Sequence, residues 1–165
     1  MNCCDNVPSY FNNQVCCFSP QTAVLQVNRP GDYLILPSQT TYFDMTWEYA
    51  SVLTNGAILN FISPSQIQIN LSGIYKIGYF GDLIASSQFD TWQIQVAING
   101  TTRIDGSHTD IGNDTGGTLS ANFGREFYAK LVAPCYITLQ FSANSGNALP
   151  GEIDDQIFNI EYISS

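Results

Sequence analysis

Between Gln66 and Asn99 the chain alternates apolar and polar residues with a period of two. Ile67, Ile69 and Leu71 share one parity and Gln66, Gln68 and Asn70 the other. Tyr75, Ile77 and Tyr79 alternate with Lys76 and Gly78, and Trp92, Ile94, Val96 and Ile98 alternate with Gln93, Gln95, Ala97 and Asn99. A strand sends successive side chains to opposite faces, so this period predicts strands with one buried face. Ser72-Gly73 and Asn99-Gly100 provide turn residues at the ends of these runs. The same reading predicts strands over Thr22–Asn28, Tyr33–Leu36, Thr41–Leu53, Ala57–Ile62, Thr118–Val132, Cys135–Ala143 and Gln156–Ile163. In Thr41–Leu53 the inward set is Phe43, Met45, Trp47 and Tyr49, and Asn55-Gly56 signals a hairpin after it. Gly124 marks a bend or bulge in Thr118–Val132. Thr101–Gly117 and Asn144–Asp155 are polar and glycine-containing and are expected to be loops at one end of the fold. About ten strands joined by turns describe an all-β, antiparallel β-sandwich of the jelly-roll kind.

Residues 1–21 stand apart. They carry Pro8, Pro20 and the run Tyr10-Phe11-Asn12-Asn13, with neither helical nor strand periodicity. The expectation is an extended N-terminal arm (1–21) preceding a jelly-roll domain (22–165). At about 3.3 Å per residue the arm spans roughly 70 Å, against a radius of gyration near 15 Å for the domain. It is therefore long enough to touch a neighbouring copy.

Charge narrows the classes of function. Only 12% of residues are charged, and the net charge is −9 with five basic residues. A nucleic-acid partner, which requires Lys and Arg to displace counterions, is not expected. No apolar run reaches the roughly 18 residues of a membrane span, so no membrane partner is expected either. The first residues show neither a basic nor an apolar signal region, so no signal peptide is expected. No nucleotide-binding or hydrolase motif occurs, and no cofactor or metal is expected. His108, beside Ser107 and Asp110, is the single histidine, which argues against an enzyme. Asp105, Asp110 and Asp114, with Glu152, Asp154 and Asp155, lie in the two predicted loops and lack a calcium-loop spacing; a solvated acidic rim is the simpler reading. The aromatic set Tyr42, Phe43, Trp47, Tyr49, Tyr75 and Tyr79 exceeds what one sandwich interior holds, so part of it is expected at a subunit interface.

Cysteine is the compositional anomaly. Four of the five cysteines form two adjacent pairs, Cys3-Cys4 and Cys16-Cys17, and the fifth is Cys135. Adjacent cysteines bond to each other only with strain, so each seeks a partner elsewhere. Intermolecular disulfides, a local disulfide knot and a metal site all remain open at this point, although adjacent pairs fit tetrahedral zinc poorly. Cys135 reads either as a small buried residue or as the disulfide acceptor for an arm cysteine.

The pieces SGIYKIGYF, TWQIQVAINGTTR, KLVAPCYITLQFSANSG and IFNIEYIS, in this order, resemble the complement C-one-q and tumour-necrosis-factor-like jelly roll, and most closely its spore-surface members from Bacillus. The resemblance covers about residues 22–165, and Pro134-Cys135 departs from it where family members often carry Gly-Asp. Cys3, Cys4 and Cys16, with Cys17 as an extra, resemble the N-terminal connectors of Bacillus endospore appendage subunits. The two resemblances imply a structural fibre subunit, extracellular on the spore surface. In it homotrimers of this chain stack, and Cys3, Cys4, Cys16 and Cys17 form intermolecular disulfides. Tyr10 and Phe11 would dock the arm on a neighbour, and a spore-coat anchor or tip protein is a further implied partner. The competing expectation is a trimeric, tethered binding head that recognises a glycan or protein.

Overall fold

The computed structural model of the chain describes residues 22–29, 34–36, 41–85, 91–112, 119–143 and 151–165. Among these there is no helix, and the strands in chain order are β1 (Ala23–Arg29), β2 (Leu34–Leu36), β3 (Phe43–Asp44), β4 (Tyr49–Leu53), β5 (Leu59–Ser63), β6 (Gln66–Ile69), β7 (Gly73–Ala85), β8 (Thr91–Ile98), β9 (Thr102–Arg103), β10 (Thr109–Gly112), β11 (Leu119–Leu131), β12 (Cys135–Ala143) and β13 (Gly151–Ser164). They form two sheets. The first runs β11-β7-β13-β1-β4, with β2 against the start of β13. The second runs β10-β8-β12-β6-β5, with β3 on β12 and β9 on β8. Every described pairing is antiparallel. The expected sandwich is the observed one.

The period-two residues build the core. Leu25 and Val27 of β1, Tyr75, Ile77 and Tyr79 of β7, and Phe158 and Ile160 of β13 line the inner face of the first sheet, all buried. They meet Ile67 and Ile69 of β6, Trp92, Ile94 and Val96 of β8, and Ile137, Leu139 and Phe141 of β12 from the second. Aromatic contacts link the two layers: Trp47 stacks on Phe158 and Phe123 meets Phe141 edge-on. Asn99 and Gly100, at φ 51° and 73°, make the β8–β9 hairpin; positive φ at both central residues is what this tight turn requires.

Several sequence expectations are corrected. Thr41–Leu53 is not one strand. β3 pairs with β12 in the second sheet and β4 with β1 in the first, so the chain crosses the sandwich between them. Met45 and Trp47 are buried at the crossing, whereas Tyr49 is exposed. Asn55-Gly56 does not close a hairpin: β4 and β5 belong to different sheets, and the Asn55 carbonyl accepts from Ile58 and Leu59 as the chain returns. Thr101–Gly117 is not loop throughout, because β9 and β10 both pair with β8. Asn144–Asp155 is likewise not all loop, because β13 begins at Gly151 and buries Ile153. Its register jumps from Asp154 to Ile157, with Asp155 at φ 47°. The extra residue lets both odd-numbered Ile153 and even-numbered Phe158 face the core. Gly124 neither bends nor bulges. It pairs in unbroken register with Phe80, whose ring occupies the space a Cβ would take.

Candidate assembly surfaces

The outer face of the first sheet is built from the residues between the core positions. Strand register orders them in rows. One row reads Tyr49, Asn28, Ile157, Phe80 and Gly124 across β4, β1, β13, β7 and β11. The next reads Val52, Gln26, Asn159, Gly78 and Glu126, and a third Val24, Glu161, Lys76 and Tyr128. Phe80 lies flat over Gly78 and Gly124 because neither glycine has a Cβ to lift the ring. The face exposes Tyr49, Val52, Ile74, Phe80, Tyr128 and Ile163, with Tyr128 at 65%. Charge is interspersed with them: Glu126 in the second row, Glu161 and Lys76 in the third, and Asp154 beside Asp82 in the row beyond Phe80. Lower down, Lys76 Nζ lies 2.7 Å from Glu126 Oε1, and this hydrogen bond raises the lysine pKa.

The outer face of the second sheet differs. Gln95 donates to Gln140 Oε1 at 3.0 Å, and Gln140 donates to Asp44 Oδ1 at 2.8 Å and to the Gly100 carbonyl at 3.0 Å. Gln93 donates to Asp110 and accepts from Tyr42 and Ser142. These amides join β8, β12, β3 and β10. Gln95, Gln140 and Ser142 are buried, so the network holds the layer together rather than presenting donors to a ligand.

At the end of the sandwich near β10, Tyr79 crosses from the first sheet. Its hydroxyl donates to the Ser107 carbonyl at 2.8 Å and shares a hydrogen bond with Thr109 Oγ1 at 2.7 Å. Burial raises the Tyr79 pKa. Arg125 of β11 donates to the His108 carbonyl at 2.9 Å. The neighbours Ser107, His108 and Asp110 do not form a nucleophilic arrangement. Ser107 Oγ accepts from the Val96 N–H and donates to the Val96 carbonyl, while His108 Nε2 stands 3.6 Å from Asp110. Among the described residues no group of three His, Cys, Asp or Glu side chains is placed to hold a metal ion. Asp114 lies outside the described residues, whereas Asp154 pairs with Asp82 across β7 on the outer face of the first sheet.

Cys135 opens β12, is buried and is free; burial pushes its thiol pKa up. Cys3, Cys4, Cys16, Cys17, Tyr10 and Phe11 lie outside the described residues. The aromatic set expected to overflow into an interface divides differently. Trp47, Tyr75 and Tyr79 are core, Phe43 packs against the core, and Tyr42 is half-buried; Tyr49 alone is exposed. Among the described residues Val52, Leu53, Ile74, Phe80, Tyr128 and Ile163 of the first sheet are exposed as well, and sequence reasoning missed the last four. Parity would have found them, since each sits one residue out of phase with a buried run.

No protein-family model matches the chain, and no curated protein matches it. Solved structures do. The globular domain of zebrafish complement 1qA protein aligns with a TM-score of 0.61 at 10% identity, over 87% of this chain and 98% of that one. Murine APRIL at pH 5.0 aligns with a TM-score of 0.56 at 10% identity, over 87% of this chain and 100% of that one. The fold is therefore that of the complement C-one-q and tumour-necrosis-factor globular domains, a jelly-roll sandwich.

Proposed function

We propose that this protein is a structural subunit of a self-assembling fibre. Jelly-roll domains of residues 22–165 associate as closed homotrimers through the outer face of the first sheet. Residues 1–21 then join one trimer to the next, with disulfides of Cys3, Cys4, Cys16 and Cys17 locking the junctions. The observation that carries this reading is the set of large apolar side chains, Ile74, Phe80, Tyr128 and Ile163, exposed on the outer face of the first sheet. Exposed apolar surface of this kind marks association sites. A closed ring uses one such contact, and a second, non-closing contact through the arm generates a filament. Cys135, buried among core residues, remains a reduced interior thiol in this scheme. The N-terminal cysteine pairs, through their resemblance to endospore appendage connectors, support an extracellular place on the spore surface, with a coat anchor or tip protein as a further partner.

The test is negative-stain microscopy of the purified protein beside gels of boiled samples with and without reductant. Long fibres that survive boiling and dissociate under reductant are expected. Uniform particles of trimer mass under both conditions would replace the fibre with a tethered binding head that recognises a glycan or protein.

A further inference from the structure

We infer that the open edge of β11 receives residues 9–19 of another copy as an added antiparallel strand. This rests on the reading that the chain assembles with itself and names the surface the arm occupies.

β11 is a 13-residue strand paired with β7 throughout in unbroken register. It ends its sheet, and among the described residues no strand pairs with its other side. A long unpaired edge without proline or bulge offers a row of free N–H and C=O groups to a further strand. Its cover towards the core is incomplete as well, since Phe127 is only partly buried there. The opposite edge, β4, is less suitable, being five residues long and bulged in its pairing with β1.

The donor follows from the sequence. Pro8 and Pro20 cannot donate to a ladder and bound a proline-free, uncharged segment, Ser9 to Ser19. It contains Tyr10, Phe11, Val15 and Phe18, residues that favour strands. Its eleven residues fit within the length of β11.

Chain reach decides whose segment it is. Ala23 lies level with Tyr162, Tyr75 and Ala129. A strand added beyond β11 stands four strand spacings of about 4.8 Å from β1, or about 19 Å. From Ser19 to Ala23 there are four Cα steps, which extend to about 14 Å at most. No register that keeps Ser19 in the ladder can close this gap within one molecule. With Ser9 opposite Leu131, the antiparallel arrangement puts Ser19 opposite Ala121, which widens the gap to about 33 Å. The donor is therefore a second copy.

The arrangement places residue 12 of one chain opposite Tyr128 and diagonal to Lys130 of another, on the same face. The full chain carrying Asn12→Lys is prepared in natural and nitrogen-15 forms, mixed before assembly and treated with a short amine cross-linker. The expected result is a cross-link between positions 12 and 130, about half of it joining light to heavy peptides, and absent when Lys130→Arg is added. Amide exchange of Gly124–Leu131 is expected to be at least tenfold slower in the assembled chain than in the Asn13→Pro/Val15→Pro chain, whose changes lie outside the folded domain. Fibres lacking this cross-link, with rapidly exchanging β11 amides, overturn strand addition and leave fibre formation standing. Cross-links confined to peptides of one isotope overturn the intermolecular donor. A chain that never assembles overturns both readings.

Discussion

Tyr128 offers a direct measure of the proposed interface. It is 65% exposed and projects from β11 opposite Lys76. A tyrosine buries on the order of 200 Å² in full, so roughly 130 Å² of Tyr128 would leave water on association. At about 25 cal/mol per Å² this is about 3 kcal/mol. Ordering costs consume part of such gains; if half survives, each contact is stabilised by about 1.5 kcal/mol, close to tenfold. A closed trimer has three contacts, so Tyr128→Thr is expected to weaken the overall association constant by roughly a thousandfold. Thr keeps the strand preference and the position is exposed, so the isolated fold should change by no more than about 0.5 kcal/mol. Mass photometry or sedimentation across a dilution series measures the first quantity, and thermal unfolding of the dilute protein the second. An unchanged association constant together with an unchanged melting temperature would refute the assignment of this face to the interface.

Tyr79→Phe removes the hydroxyl that joins the first sheet to Ser107 and Thr109; a loss of about 1–3 kcal/mol is expected, read as a drop of several degrees in melting temperature. Gly73→Ala places a Cβ against the Ser164 carbonyl and the Tyr162 ring. It should cost about 1–3 kcal/mol in denaturant unfolding, whereas Gly56→Ala, with nothing within 4 Å of the new carbon, should be close to neutral. Burial, assisted by Tyr162, pushes the Tyr75 pKa up to about 12. The unfolded chain releases that proton near its ordinary pKa of about 10 and the folded chain holds it. The resulting stability is complete below about pH 10 and falls by roughly 3 kcal/mol towards pH 12. Tyr75→Phe should flatten this alkaline decline in pH-dependent denaturation, and an unchanged slope would contradict the assignment.

Much of the core could be read from parity, because alternation states which side chains share a face. Ile67 and Ile69, Tyr75 through Tyr79, and Ile137 through Phe141 are all buried as the pattern demands. Sheet membership could not be read that way. Met45 and Trp47 follow the alternation of one strand, yet they lie at a crossing between sheets, since an inward side chain looks the same from either layer. β9 and β10 escaped notice because Thr102-Arg103 and Thr109–Gly112 lack alternating apolar residues; pairing with β8 makes them strands. The parity change across Asp155 concealed the start of β13. On the outer face of the first sheet, counting aromatic residues reached Tyr49, which is exposed there, and phase was needed to reach Phe80 and Tyr128. Tyr75 and Tyr79 fit inside, whereas Phe80 and Tyr128 are the residues left over.

β13 is the last strand of the domain in sequence and lies between β7 and β1 in the first sheet. During synthesis, therefore, this sheet cannot close until β13 has left the ribosome. Until then β7, already paired with β11, and β1, paired with β4, are separate pieces with bare apolar faces. Most of the stabilising pairings join residues far apart in the chain, which slows folding. A chain built this way presents its outer face only once β13 is in place. Fragments released early would lack the strand across which every row of that face runs.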